Sequence, residues 1–172
     1  MLPHLAVLHA PPAGPGLFYQ RYIDEQLCVD LPRDHPLAGR ESVSFAELDG
    51  MSLLAHSTAR FWMAICRAKL PHSRLLAQES LDSLQKLVEA SSLPVFSSDR
   101  VAVYGLGAEG RVRIPIRDEE ARATYYLACL EAEKRRFAPV FSAVRAAAIR
   151  GDRLSPPGRD PRPYKSACPQ PW

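Results

Sequence analysis

Paired cysteines are missing from this chain. Cys28, Cys66, Cys129 and Cys168 stand far apart, and no two have the close spacing of a finger-type metal pair. His4 and His9 are the only histidines near ligand spacing, and no cysteine pair accompanies them, so no metal site is expected. Long apolar runs are missing too: nothing approaches the roughly 18 residues of a membrane-crossing helix. The opening Met1-Leu2-Pro3-His4 has no basic region ahead of an apolar core, so no secretion signal is expected and the cytoplasm is the expected compartment. Charge of one sign is scarce, with 22 Lys and Arg against 19 Asp and Glu, which gives no concentrated basic patch for nucleic acid. Catalytic signatures are absent as well. There is no G-x-S-x-G elbow, no phosphate-binding loop and no Gly-rich dinucleotide turn, since Gly105-Leu106-Gly107 alone does not make one. Ser, His and Asp are present without a linking spacing, and Cys66 sits mid-helix on an apolar face, a poor setting for a thiolate. Neither an enzyme nor a cofactor is expected. The cysteines in apolar runs, Cys28, Cys66 and Cys129, are expected to be buried reduced thiols.

What is present is an ordinary globular composition, 47% hydrophobic over 172 residues, enough for one domain or two small lobes. The 16 prolines cluster near both ends and mark loops and a tail. Leu5 to Leu8 is a short buried strand. Prolines and glycines between Pro11 and Gly16 make a connector, and Leu17 to Ile23 and Gln26 to Leu31 are two extended segments. The run Pro32-Arg33-Asp34-His35-Pro36-Leu37-Ala38-Gly39-Arg40 is a turn, because two prolines remove two donors and fix two φ angles. Ser44 with Glu47 predicts a capping box on a short helix that Gly50 stops. Met51 to Ala55 is a strand. A helix beginning at Ser57 or Thr58 buries Phe61, Trp62, Ile65 and Cys66 and ends at Pro71. Arg74 to Ala77 is a strand, Asp82 or Ser83 opens a helix carrying Leu84, Leu87 and Val88, and Leu93 to Phe96 is a strand. Ser97-Ser98-Asp99 then caps a helical turn, and Val101 to Glu109 is irregular. Arg111 to Ile116 and Ala123 to Leu130 are strands, and Phe137, Val140, Phe141, Val144 and Ala148 form a closing helix with Pro139 in its first turn. Residues 151–172 have no apolar periodicity and read as a disordered tail. Alternating strands and helices predict an α/β fold with a largely parallel sheet.

One arrangement imitates a DNA-reading element. Phe45 to Gly50 followed by Ser57 to Arg60 has the small-residue spacing of a helix-turn-helix. Met51 to Ala55 is too extended for a tight turn, however, so no DNA-binding residues are assigned. Lys134-Arg135-Arg136 is expected to be a solvated helix start.

The turn and its flanks, Leu31-Pro32-Arg33-Asp34-His35-Pro36-Leu37-Ala38-Gly39-Arg40 and Val43-Ser44-Phe45-Ala46-Glu47-Leu48, resemble the effector-binding domain of LysR-type transcription regulators. Glu79 to Val88, Leu93 to Ser98, Arg111 to Ile116, Tyr125 to Leu127 and Phe141 to Arg145 resemble later pieces of that domain in the same order, so the likeness covers roughly residues 4–150. The resemblance implies a type 2 periplasmic-binding-protein-like fold with two lobes and a small-molecule effector in the cleft. It implies interlobe crossings near residues 10–24 and 97–106, a complete second lobe over 25–96, and the remainder of the first lobe from 4–10 and 107–150, with the first half of that lobe lacking. It further implies a homo-oligomer that meets DNA only through an N-terminal winged helix-turn-helix, which this chain lacks, so the chain resembles the C-terminal, N-terminally truncated part of such a regulator. A free-standing solute-binding protein of the same fold and a truncated product without function are the alternatives.

In open α/β sheets ligands sit beyond the carboxyl ends of strands, close to helix N-termini. Two such places are expected here. His56-Ser57-Thr58, with Arg60 behind them, would suit a carboxylate at the start of a helix. Phe96-Ser97-Ser98 ends another strand, and His9 and Ala10 would face both across the cleft. For Ser57 and Thr58 the alternative is a plain N-cap, and for His9 and His56 a solvated loop histidine.

Overall fold

The computed structural model describes residues 5–100 and 110–149. The expected tail over 151–172, most of the second crossing and the whole irregular Val101 to Glu109 stretch lie outside the described residues. Seven strands form one continuous ladder: β1 (Leu5–Leu8), β2 (Leu17–Pro32), β3 (Ser52–His56), β4 (Arg74–Gln78), β5 (Val95–Ser98), β6 (Arg111–Pro115) and β7 (Arg122–Leu130). Among the described residues four α-helices accompany them: α1 (Phe45–Leu48), α2 (Arg60–Lys69), α3 (Leu81–Ala90) and α4 (Lys134–Ile149).

The organising element is β2. Its two segments, separate in the sequence reading, are one strand of 16 residues, with the pairing shifted between Arg21 and Ile23. Its first part, Leu17 to Gln26, pairs antiparallel with β7, which in turn carries β1. Its second part lies between β5 and β6, again antiparallel to both. The order is β1-β7-β2-β5-β3-β4, with β6 on β2. Among the described strands only β3 with β4 and β3 with β5 run parallel. The expectation of a largely parallel sheet is therefore corrected to a mixed sheet. Helices α2 and α3 supply the crossovers that parallel neighbours need, whereas β2 meets three partners head to tail.

Alternation sorts the core. Leu27, Val29 and Leu31 of β2 point to the face covered by α1 and α2, where they pack with Phe45, Leu48, Leu53, Trp62 and Cys66. The next residue of β3, Leu54, turns the other way and packs with Leu84 and Val88 of α3 and with Val95. A sheet covered on both faces explains why β3 reads as an unbroken apolar run. On the first part of β2, α4 packs Phe141 and Val144 onto Leu127 and Cys129. On the opposite face Tyr19 is 45% exposed. Cys28, Cys66 and Cys129 are free and buried, as expected; Cys168 is outside the described residues.

Local signals were mostly met. The turn after β2 closes through successive bonds, His35 N–H to Pro32 O, Ala38 N–H to His35 O and Arg40 N–H to Leu37 O. Ser44 and Glu47 form the capping box, with Ser44 N–H donating to Glu47 Oε2 at 2.8 Å. Gly50 takes φ +87°, a conformation that disfavours any residue with a Cβ. Three boundaries differ. Helix α3 is capped by Ser80, whose hydroxyl accepts from Ser83 N–H, ahead of the expected Asp82 or Ser83. Helix α4 begins at Lys134, so Pro139 falls inside it and past its first turn. Ser97 and Ser98 belong to β5, and Asp99 Oδ1 accepts from Gln26 N–H, extending the pairing with β2; the helical turn expected after Asp99 runs outside the described residues.

Candidate functional site

The ends of β3 and β5 and the start of α2 enclose a cavity of about 580 Å³, with Glu25 and Leu27 of β2 and Tyr125 of β7 on its wall. Of the residues expected at the site, His56, Thr58, Arg60, Phe96, Ser97 and Ser98 line it. Ser57 does not. It lies off the cavity, with its backbone N–H bonded to Gln78 O at 2.9 Å. His9 is one ring removed, its imidazole 4.6 Å from Phe61, which does line the cavity. Ala10 is exposed and makes no part of the wall.

Around α2 the arrangement differs from a plain cap. The N-cap is Ala59, which has no polar side chain to cap with, and the Thr58 hydroxyl is turned to His56 Nδ1 at 2.6 Å. His56 Nε2 sits 3.1 Å from Glu79 O. A carbonyl can only accept, so Nε2 donates to it, and in the neutral imidazole Nδ1 is then the acceptor of the Thr58 hydroxyl. Arg60, exposed at the first turn of α2, brings a positive charge to the rim.

The two serines of β5 point to opposite faces and meet two different acids of β2. Ser97 Oγ donates to Asp30 Oδ1 at 2.6 Å. Asp30 is 3% exposed and is gripped from β6 by Arg113, whose Nε and Nη2 donate to its two oxygens at 2.8 and 2.9 Å. That pairing holds the Arg113 guanidinium above its ordinary pKa, chiefly through the bond to Asp30. Ser98 Oγ donates to Glu25 Oε1 at 2.6 Å. Glu25 Oε2 accepts from Trp62 Nε1 at 2.9 Å and from Tyr125 OH at 2.7 Å. Burial, and then the bond to the Glu25 carboxylate, push the Tyr125 phenol well above its ordinary pKa. Burial likewise raises the Cys28 and Cys66 thiols to about 12, so neither offers a thiolate at neutral pH.

Glu25 and its partners were not read from the sequence. A signal existed. Glu25, Leu27, Val29 and Leu31 share one face of β2, so an acid sits in line with three core residues, and a buried Trp and a half-buried Tyr each need an acceptor. No group of three His, Cys, Asp or Glu that could hold a metal occurs among the described residues.

Comparison with known proteins places this geometry. The family profile of the LysR substrate binding domain matches residues 3–148. No curated protein matches the chain. Among solved structures, the regulatory domain of MetR, a LysR family regulator from N. meningitidis, superposes with a TM-score of 0.66 at 15% identity, covering 88% of this chain and 73% of that one. The BenM effector-binding domain with its effector benzoate gives 0.66 at 16% identity, covering 89% and 73%. The regulatory domain of CcmR from Synechocystis PCC6803, in complex with 2-PG, gives 0.61 at 19% identity, covering 84% and 73%. The mixed sheet, with helices on both faces of its second part, is the type 2 periplasmic-binding-protein-like fold of such domains. With most of its length matched by the family profile, the chain belongs to the LysR substrate-binding domain family, the effector-binding part of LysR-type transcription regulators.

Proposed function

We propose that the cavity between β2, β3, β5, β7 and α2 is where this domain takes its effector, and that it works by binding rather than by chemistry. The carrying observation is the convergence of His56, Thr58 and Arg60 with Phe96, Ser97 and Ser98 on one cavity beyond the carboxyl ends of β3 and β5. A small carboxylate fits the rim beside Arg60 at the start of α2. An occupant that bridges α2 to Glu25 and Tyr125 would favour one relative placement of the two parts of the sheet, and such a shift is how effector binding would reach the rest of a regulator. In this reading residues 25–96 form one lobe, and 4–10 with 107–150 contribute to the other. The regulator assembles as a homo-oligomer, acts in the cytoplasm, and touches DNA through a winged helix-turn-helix outside this chain.

The test is ligand-dependent thermal stabilisation by small carboxylates such as benzoate, measured on the wild type and on the Thr58→Ala and Arg60→Ala variants. A ligand at a hundred times its Kd adds about 2.7 kcal/mol, several degrees in Tm. The expected result is a shift in the wild type that is cut sharply in Arg60→Ala and reduced in Thr58→Ala. An equal shift in all three proteins would sink the site assignment.

A further inference from the structure

Glu25 is a cavity-lining carboxylate whose charge the described part of the chain leaves unmatched. Its three hydrogen-bond donors, Ser98, Trp62 and Tyr125, are all neutral. Among the described residues no Lys, Arg or His pairs with it. Asp30, on the opposite face of the same strand, receives a serine in the same way but also a two-pronged Arg113. A carboxylate has about four lone-pair directions. Two donors occupy Oε2 and one occupies Oε1, so Oε1 keeps a direction for one more donor. The same cavity is walled by the rings of Phe61, Trp62, Phe96 and Tyr125. A fixed carboxylate among aromatic rings is complementary to a protonated nitrogen, which gains a charge-assisted hydrogen bond and cation–π contact together. Arg60 lines the cavity too, so opposite charges stand ready for both ends of a zwitterion. A plain carboxylate would meet Arg60 but would also enter the field of Glu25 uncompensated.

We propose that the effector carries a protonated amine as well as a carboxylate, an amino acid in chemical class, with its amine set on Glu25 Oε1 and its carboxylate toward Arg60. This rests on the reading of the cavity as the effector site and names the chemistry of its occupant.

The experiment is calorimetric titration of the 172-residue protein with two matched probe sets. One set is phenylalanine, 3-phenylpropionate and phenethylamine; the other is norleucine, hexanoate and hexylamine. The expected result is that in at least one set the amino acid binds about tenfold or more tightly than the plain acid, and that Glu25→Gln brings the two within about twofold. On the wild type, the indole N–H resonance of Trp62 should shift on adding that amino acid, a readout that needs no variant. Plain acids binding as tightly as the amino acids would overturn the proposal while leaving the effector reading standing. A preference that survives in a folded Glu25→Gln, or that leaves the Trp62 resonance unmoved, would also overturn it. Failure of every probe to bind would overturn both.

Discussion

Asp30 and Glu25 lie on one strand, each receives a serine hydroxyl from β5, and there the likeness ends. Asp30 faces the α3 side, almost sealed from water, and the chain supplies its countercharge from β6 through Arg113. Glu25 faces the α2 side, half-buried at a cavity, and among the described residues receives only neutral donors. The difference follows from solvation. A carboxylate removed from water needs a cation and filled lone pairs, or it destabilises the fold by several kcal/mol. A carboxylate at a cavity wall keeps some solvent, so neutral donors suffice to hold its direction while its field remains available to something entering from solution. One strand thus carries a structural acid and a recognition acid, told apart by what faces them.

The largest expected effect tests the structural half. Arg113→Ala leaves Asp30 buried with Ser97 alone, and we expect a loss of about 3–5 kcal/mol in urea unfolding. Adding Asp30→Asn to Arg113→Met should recover most of that loss, because the charge and its partner then leave together. An Arg113→Ala protein as stable as wild type would erase the distinction between the two acids.

The next effect separates them by pH. Cys28 and Cys66 keep their protons to about 12 when folded, and Tyr125 keeps its own above the ordinary phenol range. The unfolded chain gives these protons up from about pH 9 for the thiols and about 10 for the phenol, so above those values it binds fewer protons than the folded chain. Stability is therefore present in full below about pH 9 and falls as pH rises toward 12. Tyr125→Phe should flatten the part of the decline above pH 10. Ser97→Ala should leave that part unchanged, since it removes a donor to Asp30 and neither adds nor removes a group that loses its proton there. Chemical denaturation across pH 8–11, a range set by these ordinary pKa values, reads both slopes.

The smallest effect is the serine pair. Ser97→Ala should cost about 1–3 kcal/mol, because it strips a donor from a buried carboxylate, and Ser98→Ala about 1 kcal/mol or less, because water can reach Glu25 in its place. Equal losses would mean that the two acids are equally sealed.

Much of this was legible in the residues. The proline-bounded turn, the Ser44–Glu47 capping box and the doubly covered strand β3 depend on φ restriction, local hydrogen bonding and apolar runs, all properties of neighbouring residues. His56, Thr58 and Phe96 to Ser98 were legible as site candidates because they end apolar runs where helices begin or crossings start. The direction of β2 against β5, β6 and β7 was not legible, nor was the fusion of its two segments. A strand's own pattern says which face is apolar and nothing about whether its neighbour runs with it or against it.

The chain's own residues determined the elements, their faces and the placing of Glu25 and Asp30 on opposite sides of β2, because backbone restriction and period-2 alternation act within a few residues. Only the tertiary structure decided which acid meets Arg113 and which meets the cavity. The partners come from 67 and 83 positions away for Asp30 and from 37, 73 and 100 positions away for Glu25, and no local rule reaches across those separations. The same carboxylate chemistry became a structural pair in one place and a binding group in the other because the sheet brought an arginine to the first and an open space to the second.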